Sequence, residues 1–152
     1  MKNRTLGVIA VAVAVAGGAV AAPTTLSIRC PAHVAADIIR VAPAPEGWIP
    51  FVPSSLEVRG AELMFGPPAS YKLARSSSYR QFKHRTVSAW ELAGLPDTEK
   101  WLRCGYGAAD EITLSRQLPT EVTRCEVTRD LDADGNVTTV AAVCTYAARR
   151  MQ

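Results

Sequence analysis

Hydrophobic and polar residues alternate along most of this chain, which is the pattern of β-strands that bury one face. Each alternating stretch is bounded by glycine, proline or a cluster of charged residues. The predicted strands are Leu26 to Cys30, Leu56 to Phe65, Val87 to Leu92, Trp101 to Gly107, Glu111 to Pro119, Cys125 to Arg129 and Val137 to Tyr146. We therefore predict a mainly β fold with little helix, in the form of one small antiparallel β-sandwich or open barrel-like domain.

Two stretches do not alternate. Residues 33–41 fit a second strand or a single helical turn equally well. Residues 43–53 contain four prolines and predict an irregular connection with Trp48 and Phe51 as apolar anchors.

The aromatic and aliphatic residues inside the alternating stretches predict the core. Trp90 and Trp101 each stand beside other apolar residues, so we expect both as core anchors. The further predicted core positions are Leu114, Leu118, Val122 and Val127.

The first 21 residues have the composition of a secretory signal peptide. Lys2 and Arg4 give a positive start, an apolar run follows, and small residues lead to a cleavage site before Ala22. The apolar run is short and is interrupted by glycine, which disfavours a membrane anchor. We predict a signal peptide at 1–21 and a single secreted β-rich domain at 22–152. The predicted location is periplasmic or secreted, with no membrane attachment after signal removal.

The charge of the exported part is close to balance. The whole chain carries 17 Lys and Arg residues against 14 Asp and Glu residues. Because Lys2 and Arg4 leave with the signal, 15 basic residues face 14 acidic ones and the net charge is +1. This balance gives no support for a nucleic-acid partner.

All four cysteines lie in the exported part, which is typical of a protein with two disulfides. Their spacing does not fit a zinc site. Of the three possible connectivities we favour Cys104 with Cys125, which would join neighbouring strands, and Cys30 with Cys144, which would tie the two ends of the domain together.

Residue chemistry gives little support for catalysis. His33 and His84 lie outside HExxH and GxSxG contexts. Oxidised cysteines would leave no thiol nucleophile. We therefore predict no catalytic residues and no cofactor, and a binding protein rather than an enzyme.

The turn from Asp130 to Gly135 resembles part of a calcium loop. Asp130, Asp132 and Asp134 stand at its first, third and fifth places and Gly135 at the sixth, but Ala141 occupies the twelfth, where such a loop needs an acid. Asp and Gly are also what a hairpin turn prefers. We interpret the segment as a turn and keep the three aspartates only as calcium candidates, with no metal site predicted.

A basic segment at 75–85 combines positive charge with aromatic residues, the types enriched where proteins anchor to partners. The alternative is a solvated, mobile loop with a flexible tip at 76–78. The partner-binding candidates are Tyr79, Arg80, Phe82, Lys83 and Arg85. Should they fail, the next candidates are Trp48 and Phe51.

A fixed order of motifs runs along the mature chain. It comprises C-P at 30–31, G-W at 47–48, F-G-P-P at 65–68, W-x-x-C-x-Y-G at 101–107, L-x-R-x-L-P at 114–119, C-x-V at 125–127 and a last cysteine at 144. This order resembles a family of small exported proteobacterial proteins of uncharacterised biochemistry that are associated with type VI secretion gene clusters.

The resemblance implies a protein partner and a periplasmic immunity role, in which the chain neutralises a cell-wall-targeting secreted effector. The competing hypothesis is a cell-envelope protein of structural or lysozyme-inhibitor type without a dedicated toxin partner. An effector gene beside this one would favour the first.

Overall fold

The computed structural model describes residues 24–95 and 98–146, and the predicted signal peptide lies outside them. The described strands are β1 (Thr25–Arg29), β2 (His33–Val34), β3 (Leu56–Phe65), β4 (Ser78–Phe82), β5 (Arg85–Glu91), β6 (Lys100–Tyr106), β7 (Ile112–Leu118), β8 (Val122–Leu131) and β9 (Val137–Tyr146). Helix within these ranges is limited to two 3₁₀ turns, Ala36–Ile38 and Pro68–Ser70. The predicted mainly β fold with little helix is confirmed.

The strands form two antiparallel sheets. The large sheet has the order β1-β9-β8-β5-β4 and the small sheet the order β2-β3-β6-β7. Strand β3 packs against β9 and β8, so the sheets lie face to face as a sandwich. The described strands do not close into a barrel. Among the described residues, none forms a helix long and apolar enough to cross a membrane.

The core lies between the facing sides of the two sheets. Alternation places every second residue of each strand there, because successive side chains point to opposite faces. The most deeply buried apolar side chains are Leu63, Leu92, Leu102, Tyr106, Val122 and Val140. Met64 is equally buried but lies on the outward face of β3.

Most of the predicted core positions are confirmed. Leu118, Val122, Val127 and Trp90 are buried, and the Trp90 indole donates a hydrogen bond to the Ala74 carbonyl at 2.9 Å. Leu114 was predicted wrongly, since it is 40% exposed. The reason is that β7 is an edge strand of the small sheet, where the core face runs out into solvent.

Trp101 is only half-buried. Its neighbour Leu102 occupies the core face of β6, so alternation turns the Trp101 indole to the other face, next to Glu99.

The two predicted disulfides are present, but the favoured pairing was wrong. The bonds join Cys30 to Cys104 and Cys125 to Cys144. Cys104 on β6 and Cys125 on β8 belong to different sheets, so they are not on neighbouring strands as assumed. Cys125 and Cys144 instead lie directly opposite each other on β8 and β9, with Cα atoms 4.0 Å apart.

The Cys30–Cys104 disulfide links the end of the first strand of the large sheet to the small sheet. Loop-closure entropy gives a stabilisation of roughly 4 kcal/mol for its sequence separation of 74, and roughly 3 kcal/mol for the Cys125–Cys144 separation of 19. The first bond thus connects the two sheets, and the second connects β8 to β9 within the large sheet.

Candidate partner-binding site

The basic segment at 75–85, for which a mobile loop was the alternative interpretation, is mostly a β-hairpin, β4 to β5. Strand β4 is the outer edge of the large sheet, and each of its residues is exposed. The residues 76–78, predicted as a flexible tip, instead lead into the strand, because Ser77 donates through both its amide and its hydroxyl to the Ala89 carbonyl. The turn of the hairpin lies at Lys83 and His84.

The hairpin brings the five predicted partner-binding residues together on one edge, though not on one face. Arg80 and Phe82 project from the outer side of the large sheet, while Tyr79 projects from the opposite side, since neighbouring residues alternate. Tyr79 is 54% exposed and Phe82 is 52% exposed. The edge strand therefore carries one half-exposed aromatic side chain on each of its two sides.

Two cations of the hairpin, Arg80 and Arg85, form ion pairs with acidic residues of β8. Arg80 lies 3.5 Å from a Glu126 carboxylate oxygen, and Arg85 donates to Asp130 at 2.6 Å. The Arg85 hydrogen bond, followed by one from Thr139, lowers the pKa of Asp130 below its usual value.

The aspartate turn is held by its own hydrogen bonds. Asp132 Oδ1 accepts from the amides of Asp134 at 2.9 Å and Asn136 at 2.8 Å, and Asp132 Oδ2 accepts from the Asn136 side chain at 3.1 Å. The Asn136 amide is the main cause that lowers the pKa of Asp132. With Asp130 bound to Arg85, the calcium candidates take part in turn and hairpin contacts. No group of three or more metal-binding side chains occurs within residues 24–95 and 98–146.

The proline-rich segment forms a second exposed surface, and it is more apolar than the hairpin. Trp48 is 75% exposed, Ile49 93% and Phe51 83%. Three large apolar side chains exposed within four residues are typical of a contact surface rather than of a solvated loop. The proline content signalled the loop in the sequence, but the anchors expected to pack inward point outward.

An arginine-lined cleft lies at the free edge of β3, and sequence reasoning missed it. Its volume is about 730 Å³, and we call it the arginine cleft after Arg59, Arg75, Arg103 and Arg129. These arginines are separated by 16 to 28 positions in the sequence, so no local motif could have indicated that they meet.

Arg103 anchors one wall of the cleft. Its side chain is 3% exposed, and its guanidinium donates to Glu62 at 2.7 Å, to Asp110 at 3.2 Å and to the Tyr71 hydroxyl at 2.8 Å. The Tyr71 ring also lies 4.9 Å from the guanidinium carbon, within cation–π range. Gly105 makes room for this arrangement, because a Cβ there would lie 2.1 Å from an Asp110 carboxylate oxygen.

A disulfide-linked β-sandwich with an edge hairpin, an exposed apolar loop and an arginine-lined cleft has the features of a protein-binding module. The family model described as Type VI secretion system Tli immunity protein matches residues 53–148, and the chain belongs to this family. It is thus a type VI immunity protein, of the class that binds a secreted effector. Comparisons with curated proteins and with solved structures gave no match. The predicted association with type VI secretion is confirmed.

Proposed function

We propose that the protein acts in the periplasm, where it holds a type VI effector in an inactive complex and performs no catalysis itself. The family match carries this proposal, because residues 53–148 include every strand from β3 to β9. The two disulfides support an oxidising compartment. The match also favours dedicated effector binding over a structural or lysozyme-inhibitor-type envelope protein without a toxin partner.

The β4–β5 hairpin is the proposed contact surface. It is an edge with half-exposed aromatic residues on both sides, and aromatic and arginine side chains supply most binding energy at protein interfaces. Its pairs with Glu126 and Asp130 are solvent-exposed, so breaking them on binding costs little, about 0 to 1 kcal/mol each. An effector with an acidic cleft would complement Arg80, Lys83 and Arg85.

The test is binding and protection by a variant that combines Tyr79→Ala with Arg80→Ala. The effector is captured from periplasmic extract and its affinity for the parent protein is measured. We expect the variant to bind more weakly by at least about 2 kcal/mol, which is close to thirtyfold in Kd, with almost the same melting temperature. The matched control combines Arg116→Ala with Gln117→Ala on β7, the exposed edge of the other sheet.

If the hairpin variant binds and protects like the parent, the contact surface lies elsewhere. Trp48→Ala with Phe51→Ala is then the variant to compare, because these side chains are the most exposed aromatics of the proline-rich segment.

The target of the effector is also part of the proposal. We expect the effector to attack the cell wall, and release of soluble peptidoglycan fragments from unprotected cells would support this. Release of fatty acids from phospholipids, without wall fragments, would mean that the immunity protein guards the membrane instead.

A further inference from the structure

The outer edge of β3 is paired at both ends and open in the middle. At one end β2 pairs with Leu56 and Glu57, and the Val58 amide donates to the Ala32 carbonyl at 2.9 Å. At the other end the Leu63 carbonyl accepts from the Ala74 amide at 2.8 Å. Residues 59–62 lie between, a gap of roughly 13 Å at 3.3 Å per residue.

Ala61 presents unpaired backbone groups in this gap. In a strand, a residue and its second neighbour point their amide and carbonyl to the same side, so Ala61 shares the outward edge of Leu63. Ala61 therefore directs its amide and carbonyl away from its register partner Cys104, and outside the sheet ladders no hydrogen bond from the described residues reaches them, although Ala61 is only 9% exposed. Backbone groups that are so deeply placed need a partner, because an unpaired buried amide or carbonyl is costly.

The arginine cleft surrounds this open edge and carries uncompensated positive charge. Arg103 is matched by Glu62 and Asp110. Arg75 and Arg129 have no carboxylate partner among residues 24–95 and 98–146, and Arg129 donates only to the Thr86 hydroxyl at 3.0 Å.

Arg129 lies close to the open edge. Gly60 stands in the gap without a side chain, next to a β-bulge, and a Cβ there would contact the Arg129 guanidinium at 3.4 Å. Ser88, which lines the cleft, lies directly opposite Tyr79 across β4 and β5. The cleft is therefore continuous with the proposed contact surface.

We propose that the arginine cleft receives an extended, acidic segment of the effector, which adds a short strand to the open edge of β3 at Ala61 and places carboxylates against Arg75 and Arg129. This inference rests on the proposed immunity function. Strand addition supplies backbone hydrogen bonds, and flanking charges select the sequence that enters. The occupant follows from the free backbone pair together with the excess of arginine over acid.

The first experiment measures effector binding by Arg75→Glu, with Arg116→Glu on the opposite edge of the same sheet as the matched control. Both arginines are exposed and lack an ion-pair partner within the described residues, so both variants should fold. We expect Arg75→Glu to raise Kd at least about tenfold, more at low salt than at high salt, and Arg116→Glu to leave Kd unchanged.

Hydrogen exchange in the same complex tests the strand addition. The Ala61 amide should exchange quickly in the free protein and at least about tenfold more slowly in the complex. The Phe65 amide, already bonded to the Lys72 carbonyl at 2.9 Å, serves as the reference and should change little. If the effector binds but neither Arg75→Glu nor Ala61 exchange responds, the cleft inference is wrong while the immunity function stands.

If no effector binds, the proposed function is refuted. Synthetic peptides then still test the inference about the cleft. The probes are peptides of about ten residues that alternate threonine with glutamate or with lysine. Preferential binding of the glutamate peptide, lost in Arg75→Glu, supports the cleft as an acidic-strand site. Equal binding of both peptides, or binding that survives Arg75→Glu, overturns it.

Discussion

The Arg103 cluster predicts an unequal response to removing its positive and negative members. The Arg103 side chain is 3% exposed, whereas Glu62 is 46% and Asp110 40% exposed. If both acids are neutralised as Glu62→Gln and Asp110→Asn, a buried guanidinium keeps its charge without a counter-charge, which typically costs about 3 to 5 kcal/mol. Arg103→Met leaves two carboxylates that water can reach, so we expect a cost of only about 1 to 2 kcal/mol, mainly the lost contact with Tyr71.

Urea denaturation of the oxidised proteins, followed by circular dichroism at neutral pH, measures the free energy of unfolding of each variant. Asn suits position 110, because the backbone there has a positive φ of 56°. A control that combines Glu46→Gln with Glu57→Gln changes the net charge equally at exposed positions and should cost less than about 0.5 kcal/mol. The reasoning is refuted if Arg103→Met is the more destabilising change.

Two further predictions concern the core and the hairpin. Trp90→Ala should destabilise the protein by about 3 to 5 kcal/mol, because it empties a buried site and leaves the Ala74 carbonyl without its donor, whereas half-buried Trp101→Ala should cost clearly less in the same urea titration. The pKa of Asp130 in the folded protein is lowered, mainly by the hydrogen bond from Arg85. The Asp130 carboxylate therefore stabilises the folded protein at pH values above its unfolded pKa, and this stabilisation is lost as pH falls below about 4. In the Asp130→Asn variant, the melting temperature should therefore fall less steeply than in the parent as the pH is lowered into the acid range. An equally steep fall in both proteins would contradict this.

Strand positions could be predicted from sequence because burial of one face imposes a period of two. The strand predicted from Leu56 to Phe65 begins and ends at the same residues as β3 in the structure. The strand β4 could not be predicted from the basic segment, because all five of its residues, SYRQF at 78–82, are exposed and show no alternation of burial. An edge strand in water gives no hydrophobic signal.

Contacts between sheets could not be predicted in the same way. The choice of Cys104 with Cys125 assumed that strands close in sequence are neighbours in space, whereas β6 and β8 are in different sheets. The arginine cleft could not be predicted for the same reason. Its position depends on the part of β3 that has no neighbouring strand.

The disulfide pattern has a consequence for the order of events in the producing cell. Together the two bonds contribute roughly 7 kcal/mol, which is comparable with the entire stability of a typical domain. If the chain is exported as proposed, it lacks that contribution in the reducing cytosol and gains it only when the two bonds form in the oxidising periplasm. Effector binding would then depend on oxidation of the four cysteines as well as on the residues of the contact surface.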